Sequence, residues 1–269
     1  MDPRLLADEL AQAFATRQLV VPPSSRESAF DLDTAYAVER ELVRMRRASG
    51  HRTVGRKVGF ANKAVWRVMK LETLVWASMY DDTLRDAANG SATLSIASMI
   101  APKIEPEIVF KLKSPVGGDT GDAAAVLGAV EWIALGFEII DCPYPEWKFQ
   151  PVDFVAAYGL HAALVVGAPR AVGEADVATL AEQLPKFKVK LSRNGEPVEE
   201  GSGRNSLRSP ALCLGELASA IAKRRDQEPL AAGELVSSGT LTEGQRIHAG
   251  ETWSAEVEGM ALSSLTLTV

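Results

Sequence analysis

The chain has 269 residues, of which 46% are hydrophobic and 24% are charged, and its formal net charge is −6. These fractions are those of an ordinary globular protein in water. Apart from short clusters over 40–47 and 223–225, basic residues are scattered along an acidic chain, which gives no electrostatic footprint for nucleic acid. No apolar run approaches the ~18 residues that a membrane-spanning helix needs.

The amino terminus and the cysteines indicate a cytoplasmic protein. Residues 1–10 are acidic and amphipathic, unlike a signal peptide. Cys142 and Cys213 lie far apart in the sequence and form no zinc-type spacing, and the histidines at 51, 161 and 248 fall in separate segments. We therefore expect a reducing compartment and no zinc site.

The first fifty residues show the spacing of apolar residues that is typical of helices. It predicts helices over 3–17 and about 33–48, the second with Asp33 as its N-cap and Gly50 as its stop. We therefore expect a helical N-terminal region over residues 1–52 and a β-rich catalytic domain over 53–269.

From residue 53 onward, short apolar segments alternate with turn signals. They predict strands over 53–60, 74–80, 104–113, 133–141, 161–167, 186–193, 235–239, 246–248, 252–257 and 261–268. Helices are predicted over 64–70, 122–130, 176–183 and 210–224. Asn194-Gly195 indicates a hairpin turn, and Glu258-Gly259 is expected to join the last two strands in the same way. The spacing favours a barrel or sandwich with peripheral helices, an α+β fold.

Three acidic residues form the candidate metal site. Glu105 and Glu107 alternate with apolar residues in a predicted strand, so they point to one face with Cβ atoms roughly 6–7 Å apart. Glu138 is the single acid in the apolar run 133–140, where a bare carboxylate would cost several kcal/mol. The alternative for Glu105 and Glu107 is a solvent-exposed face of the strand. The alternative for Glu138 is a buried ion pair, for instance with Lys57 or Arg56. A carboxylate cage without histidine or cysteine indicates magnesium, manganese or calcium.

Other candidates lie near this set. Lys57, between Gly55 and Gly59, could transfer protons, hold an anion or simply be an exposed strand lysine. Asp82 could act as a base or merely end a strand. The Gly/Thr turn over 237–242 could bind a carboxylate through backbone N–H groups and hydroxyls, or be a plain hairpin turn.

The chain carries, in order, the segments GRKVGF (55–60), YDD (80–82), KIEPEI (103–108), FEIID (137–141), PEWKF (145–149), GELVSSGTLT (233–242) and GETW (250–253). Together they resemble the 2-keto-4-pentenoate hydratase/4-oxalocrotonate decarboxylase group of the fumarylacetoacetate hydrolase superfamily. The resemblance covers about residues 33–269 and does not distinguish the reactions within the group.

The resemblance implies a mixed β-sheet roll or barrel behind a helical N-terminal part, and assembly into a homo-oligomer. It implies Mg²⁺ or Mn²⁺ on Glu105, Glu107 and Glu138, with Lys57 and Asp82 in proton transfer. The implied substrate is a small 2-oxo or 2-hydroxy acid from the catabolism of aromatic compounds. We take Lys148, Gly239 and Thr240 as candidate substrate-binding residues.

The implied reaction is hydration of a 2-hydroxy-2,4-dienoate. Decarboxylation of a 2-oxo diacid is the alternative, and it needs a cation for the distal carboxylate, for which Arg208 or Lys148 are candidates. Hydrolysis of an acylpyruvate is disfavoured because His51 lacks an adjacent acid. One departure from the group is Leu160, where a pocket serine is usual, and it predicts a more apolar pocket.

Overall fold

The computed structural model describes residues 1–117, 120–224 and 226–269. Within these ranges the α-helices are α1 (Pro3–Thr16), α2 (Pro23–Arg26), α3 (Leu32–Ala48), α4 (Lys63–Met69), α5 (Ala123–Leu127), α6 (Pro151–Ala156), α7 (Val177–Gln183) and α8 (Pro210–Ala222). None of the described helices is long and apolar enough to cross a membrane.

The strands described in the same ranges are β1 (Thr53–Gly59), β2 (Val75–Tyr80), β3 (Leu84–Ala87), β4 (Ser91–Thr93), β5 (Lys103–Leu112), β6 (Val130–Ile140), β7 (His161–Gly167), β8 (Arg170–Ala171), β9 (Lys188–Arg193), β10 (Glu196–Ser202), β11 (Leu235–Ser237), β12 (Gln245–Arg246), β13 (Thr252–Glu258) and β14 (Leu265–Thr268).

These strands form two sheets, and the larger one carries the acidic residues. Its order is β2-β1-β11-β5-β6-β7-β3, with β12 paired to β5 and β8 to β6. The second sheet has the order β10-β9-β13-β14-β4. Parallel and antiparallel pairs are mixed, since β1 runs parallel to β11 whereas β5 and β6 are antiparallel. The α+β fold with a mixed sheet is thereby confirmed.

The larger sheet is curled. Lys57 on β1 and Glu138 on β6 are three strand spacings apart, which would be ~14 Å in a flat sheet. Their charged atoms nevertheless lie 3.0 Å apart. The sheet therefore bends around the acidic residues, as in a half-open barrel, and brings β1 to face β6.

Several local predictions are corrected. The N-cap of α3 is Asp31, whose carboxylate accepts the Thr34 N–H at 2.8 Å, so Asp33 already lies in the first turn. The last strand begins at Leu265 instead of residue 261, because the chain after Gly259 buries Met260 in the core before it pairs again. The Asn194-Gly195 hairpin is confirmed, with both residues at positive φ.

The N-terminal helices share the hydrophobic core of the sheet. Leu10 of α1 and Tyr36 of α3 belong to the same buried cluster as Phe110 and Phe137. The helices of this region end at Ala48 and the first strand begins at Thr53. The division into residues 1–52 and 53–269 stays a prediction.

Candidate metal centre and active site

The register of β5 and β6 brings the three glutamates together. Glu105 lies directly opposite Glu138, and Glu107 lies two residues further along β5 on the same face. One carboxylate oxygen from each of the three lies within 4.8 Å of the others. Glu107 and Glu138 are fully buried, and Glu105 is half-buried.

Glu138 is held from both sides. The Lys57 ammonium, itself 2% exposed, lies 3.0 Å from Glu138 Oε2. On the other side, His161 Nδ1 lies 2.9 Å from Glu138 Oε1, while its Nε2 lies 2.9 Å from the Thr83 hydroxyl. Next to His161, a bulge interrupts the pairing of β6 with β7, and bulges of this kind re-aim side chains.

Over the described ranges, Glu107 has hydrogen-bond donors for one of its two carboxylate oxygens. The Ser237 hydroxyl donates to Oε2 at 2.5 Å, and the Gly239 N–H donates to the same oxygen at 2.8 Å. Oε1 is buried and has no donor among the described residues. A buried carboxylate oxygen without a partner is costly, so this atom needs a cation or a proton.

Without a cation, the carboxyl groups have displaced pKa values. Burial raises the pKa of Glu105 to about 7, opposed by Lys57 and reinforced by Glu138. Burial and the two neighbouring glutamates raise the pKa of Glu107 well above its usual value. Burial also acts on Glu138, but Lys57 and His161 outweigh it and lower the pKa of that group. Burial and mutual repulsion thus disfavour the charged forms of Glu105 and Glu107, which a nearby cation would relieve.

This donor set fits a hard divalent cation. Three carboxylates and one lysine leave a formal charge of −2, which a divalent ion would offset. Oxygen-only ligands favour Mg²⁺, Mn²⁺ or Ca²⁺ over zinc. Glu107 Oε1, which has no hydrogen-bond partner in the described part of the chain, and the half-buried Glu105 supply oxygens for such an ion.

A cavity of about 240 Å³ opens beside the glutamates. It is smaller than the roughly 300–1,000 Å³ of sites for drug-sized ligands and therefore suits a small metabolite. Glu105, Lys57 and Lys103 contribute its charged groups, and the remaining wall is mostly apolar. The apolar lining residues include Phe60, Trp147, Phe149, Phe154 and Leu160. The apolar character of this wall agrees with the pocket that was predicted from the presence of Leu160.

Strained backbone lines the same cavity. Phe60, Trp147 and Leu160 have φ values of 58°, 60° and 57°, in the left-handed region that residues with a Cβ rarely adopt. Around Leu160 the left-handed backbone extends over a complete turn, with φ values of 55° at Tyr158 and 58° at Gly159, where glycine adopts it without strain. Such conformations cost of order 1–3 kcal/mol each and persist where the surrounding structure enforces them, commonly at functional sites.

The three predicted substrate-binding residues differ in their position relative to the cavity. Thr240 lines the cavity, but the N–H of Gly239 is occupied by Glu107. Lys148 is not among the residues that line the cavity; its side chain is 80% exposed, and its ammonium pairs with Glu146 at 2.5 Å. The structure therefore gives Gly239 a contact to a candidate metal ligand and leaves Lys148 at the surface.

Asp82 lies in a second, larger cavity of about 740 Å³, which Thr83 and His161 also line. Its carboxylate pairs with Arg46 and lies near His51, whose Nδ1 is 3.6 Å away. His51, Asp81 and Asp82 could also surround an ion geometrically, but Arg46 and Arg52 already neutralise the acids. Asp82 thus shares this larger cavity with His161, and the role of Asp82 in proton transfer stays a prediction.

Sequence reasoning missed His161 as part of the site. It heads an apolar strand, a position that is typical of an ordinary core or edge histidine. Its contact with Glu138 follows from the β6–β7 pairing and its bulge. No local pattern in the sequence carries that information.

Comparison with known proteins identifies the same superfamily that the sequence motifs resemble. Residues 81–269 match the family described as "Fumarylacetoacetate (FAA) hydrolase C-terminal". The chain is 28% identical over 259 residues to a 2-hydroxyhexa-2,4-dienoate hydratase of Comamonas testosteroni, covering 96% of this chain and 95% of that protein. It is 29% identical over 227 residues to a 4-oxalocrotonate decarboxylase of Pseudomonas sp. strain CF600, covering 84% and 81%.

Among solved structures, the chain is similar to the 4-oxalocrotonate decarboxylase of Pseudomonas putida G7, complexed with magnesium and adipate. The TM-score is 0.88 at 26% identity, and the match covers 99% of this chain and 96% of the other. The similarity therefore includes the N-terminal helices as well as both sheets.

Proposed function

The chain belongs to the fumarylacetoacetate hydrolase family, and from that premise we propose that it is a metal-dependent hydratase adding water to a 2-hydroxy-2,4-dienoate. The observation that carries this proposal is the meeting of three carboxylates within 4.8 Å beside a buried lysine and a small cavity. A relative over almost the whole chain is named a 2-hydroxyhexa-2,4-dienoate hydratase, which supports the reaction class.

The cation we propose is Mg²⁺ or Mn²⁺, held by Glu105, Glu107 and Glu138. A similar structure carries magnesium, which supports the choice. When bound, the ion would act as a Lewis acid toward the oxygens at C1 and C2 of the acid and stabilise enolate charge. Ser237 and Gly239 orient Glu107 for this role, while Lys57 and His161 orient Glu138.

Lys57 is the residue we propose for proton transfer. Hydration requires a proton at C5 of the dienol, which gives a conjugated 2-oxo-3-enoate, and then addition of water at C4. The Lys57 ammonium lines the cavity and carries protons at Nζ, directly beside the carboxylate that would anchor the reacting end. Phe154, whose ring centroid lies 4.8 Å from Nζ, shields this group from bulk water.

Decarboxylation of a 2-oxo diacid is the second candidate. Two observations favour it: the similarity to a 4-oxalocrotonate decarboxylase at a TM-score of 0.88, and the presence of a second lysine, Lys103, in the cavity wall. Both reactions would use the same end of the site, the cation and the three glutamates that would hold it (the metal end). They differ in whether carbon dioxide is released.

A product assay tests the proposal. The protein is incubated with Mg²⁺ and a set of 2-hydroxydienoates with and without a terminal carboxylate, and products and carbon dioxide are measured. The hydratase proposal expects 4-hydroxy-2-oxo acids and no carbon dioxide; carbon dioxide would instead support the decarboxylase. Absence of any Mg²⁺-dependent turnover would contradict both.

A pair of variants ties the reaction to the site. Glu105→Gln removes one proposed ligand charge at the half-buried position and should abolish both turnover and Mg²⁺ binding. Glu131→Gln is the control, because Glu131 is exposed on β6, the strand that carries Glu138. Undiminished turnover in Glu105→Gln would refute the site.

We also propose that the chain is cytoplasmic and assembles with copies of itself. Both cysteines are free and buried, which suits a reducing compartment. Light scattering on the purified protein measures the oligomeric state.

A further inference from the structure

A third cavity, of about 260 Å³, has four arginines in its wall: Arg40, Arg44, Arg47 and Arg56 (the arginine cavity). Arg56 and Lys57 are consecutive on β1, and consecutive residues of a strand point to opposite faces. Lys57 faces Glu138, so Arg56 points away from the three glutamates. The arginine cavity is therefore separate from the proposed metal site.

Arg56 is only 5% exposed, yet it uses few of its five N–H donors. Among the described residues it donates one hydrogen bond, a long one of 3.3 Å from Nη1 to the Gly55 carbonyl. Its ion pair with Glu234 spans 3.6 Å, and the Glu234 oxygen in that pair has no hydrogen-bond partner in the same ranges. Buried donors are nearly always satisfied, so the Arg56 guanidinium has donors available for a ligand in the cavity.

A second unused donor lies in the same wall. Gln227 Nε2 is buried and has no hydrogen-bond partner in the described part of the chain. Gln227 belongs to the segment after α8, whereas Arg56 is on β1, so the fold brings the two donors together from distant parts of the sequence. Two buried donors that meet at one cavity without a sufficient protein acceptor indicate that a ligand supplies the acceptor.

Helix α3 adds three further guanidinium groups to the cavity. They are spaced four and three residues apart along the helix, so they lie on one side of it. Each pairs with one carboxylate, and the pairs are Arg40–Asp226, Arg44–Glu41 and Arg47–Glu228. A single carboxylate occupies only part of a guanidinium fork, so these arginines keep donors for an additional anion.

The wall of the arginine cavity has a formal excess of one positive charge. Its four arginines face three acids, which are Glu39, Asp226 and Glu228. Burial raises the pKa of Glu39, although Ser78 and Arg56 oppose the rise, so this acid carries its charge less readily than an exposed one. The charge balance therefore favours an anion over a cation in this cavity.

We propose that the arginine cavity binds a phosphate group. Its donors come from β1, α3 and the segment after α8, and a tetrahedral oxyanion presents oxygens in several directions, whereas a carboxylate presents two in one plane. Guanidinium groups match phosphate oxygens in pairs of parallel hydrogen bonds. Free phosphate and the phosphoryl group of a small metabolite share this chemistry. The inference is independent of the proposed function, because the arginine cavity and the cavity beside the glutamates have no lining residue in common.

Calorimetric titration of the full-length protein tests the proposal. The probes are inorganic phosphate, glycerol 3-phosphate and acetate, without divalent cations and at an ionic strength held constant with sodium chloride. We expect saturable binding of phosphate at one site per chain, and binding of acetate at least about tenfold weaker, as for the loss of a hydrogen bond to a charged group. Tighter binding of glycerol 3-phosphate than of phosphate would identify a phosphorylated metabolite as the ligand, and weaker binding would identify free phosphate.

Variants locate the binding site. Arg56→Met should weaken phosphate binding about tenfold or more, and Arg56→Lys should recover part of it, because lysine keeps the charge but not the planar fork. Arg44→Met should weaken binding several-fold and leave the fold intact, since the Arg44 side chain is 63% exposed. Arg67→Met is the matched control, because Arg67 is exposed on α4 and does not line this cavity. Thermal unfolding verifies that each variant is folded.

A lysine beside the glutamates could also attract phosphate, and Lys103→Met separates the two cavities. Its phosphate affinity should equal that of the wild-type protein, and loss of binding in this variant would place phosphate at the other cavity and overturn the inference. Absence of binding of both phosphate compounds, or equal affinity for acetate, would overturn it as well. So would unchanged phosphate affinity in folded Arg56→Met and Arg44→Met.

Discussion

Gly159 offers a direct test of how the site is built. It lies at the centre of the left-handed turn Tyr158–Leu160, with a φ of 58°. A Cβ at this position would lie 2.7 Å from the Ala77 Cβ and 2.9 Å from Lys57 Cδ. Gly159→Ala should therefore strain the turn and push the stem of Lys57 away from Glu138.

The expected cost has two parts. A left-handed alanine costs about 1–2 kcal/mol relative to the ordinary conformation, and overpacking a filled interior costs about 1–3 kcal/mol more. The total is about 2–5 kcal/mol, and each kcal/mol lowers the Tm by about 2–4 °C in a chain of this size. Differential scanning calorimetry measures the Tm, and titration with Mg²⁺ measures the metal affinity.

Gly233→Ala is the matched control for the backbone part. Gly233 has a φ of 88°, and a Cβ there would meet no atom within 4 Å. Its Tm should fall by the left-handed cost alone, with Mg²⁺ affinity unchanged, whereas Gly159→Ala should lose both more stability and metal affinity. Equal destabilisation of the two variants with equal Mg²⁺ affinity would refute the inferred contact between Gly159 and Lys57.

Three further predictions concern the metal end. Ser237→Ala removes one of two donors to Glu107 and should weaken Mg²⁺ binding about 10–100-fold by calorimetry; unchanged affinity would contradict the orienting role. His161→Leu should weaken Mg²⁺ binding to a similar degree, and His161→Gln, which keeps an N–H donor, should recover part of it; equal affinities in the two variants would argue against the hydrogen bond. Because ligands must be deprotonated, and burial raises the pKa of Glu105 to about 7, Mg²⁺ affinity should rise about tenfold between about pH 6 and 8. The buried Glu107, whose pKa is also raised, steepens this dependence, and an affinity independent of pH would count against the assigned ligands.

The raised pKa values also make the stability of the metal-free protein depend on pH. A carboxyl group whose folded pKa lies above its unfolded value binds more protons when folded, so stability decreases as pH rises between the two values. For Glu105 that window runs from its ordinary value of 4.5 to about 7. Mg²⁺ should offset this loss, because it binds the deprotonated folded form.

Local patterns in the sequence determined most of the secondary structure and the three candidate metal ligands. The alternation around Glu105 and Glu107 and the lone acid at 138 depend only on consecutive residues, and β5 and β6 have the lengths that these patterns predict to within a few residues. The charge and the apolar surroundings of each glutamate are likewise local properties. Three carboxylates and their preference for a hard cation could therefore be inferred before any pairing was known.

The tertiary structure alone decided what surrounds those three glutamates. Lys57 meets Glu138 because the large sheet curls, and His161 meets it because of a bulge between β6 and β7. In the connection after β6, Lys148 remains in solvent, and Trp147 lies against Lys103 in the cavity wall. Sheet curvature and register result from pairings between strands that are distant in the chain, so a pattern of neighbouring residues cannot determine which side chains finally meet.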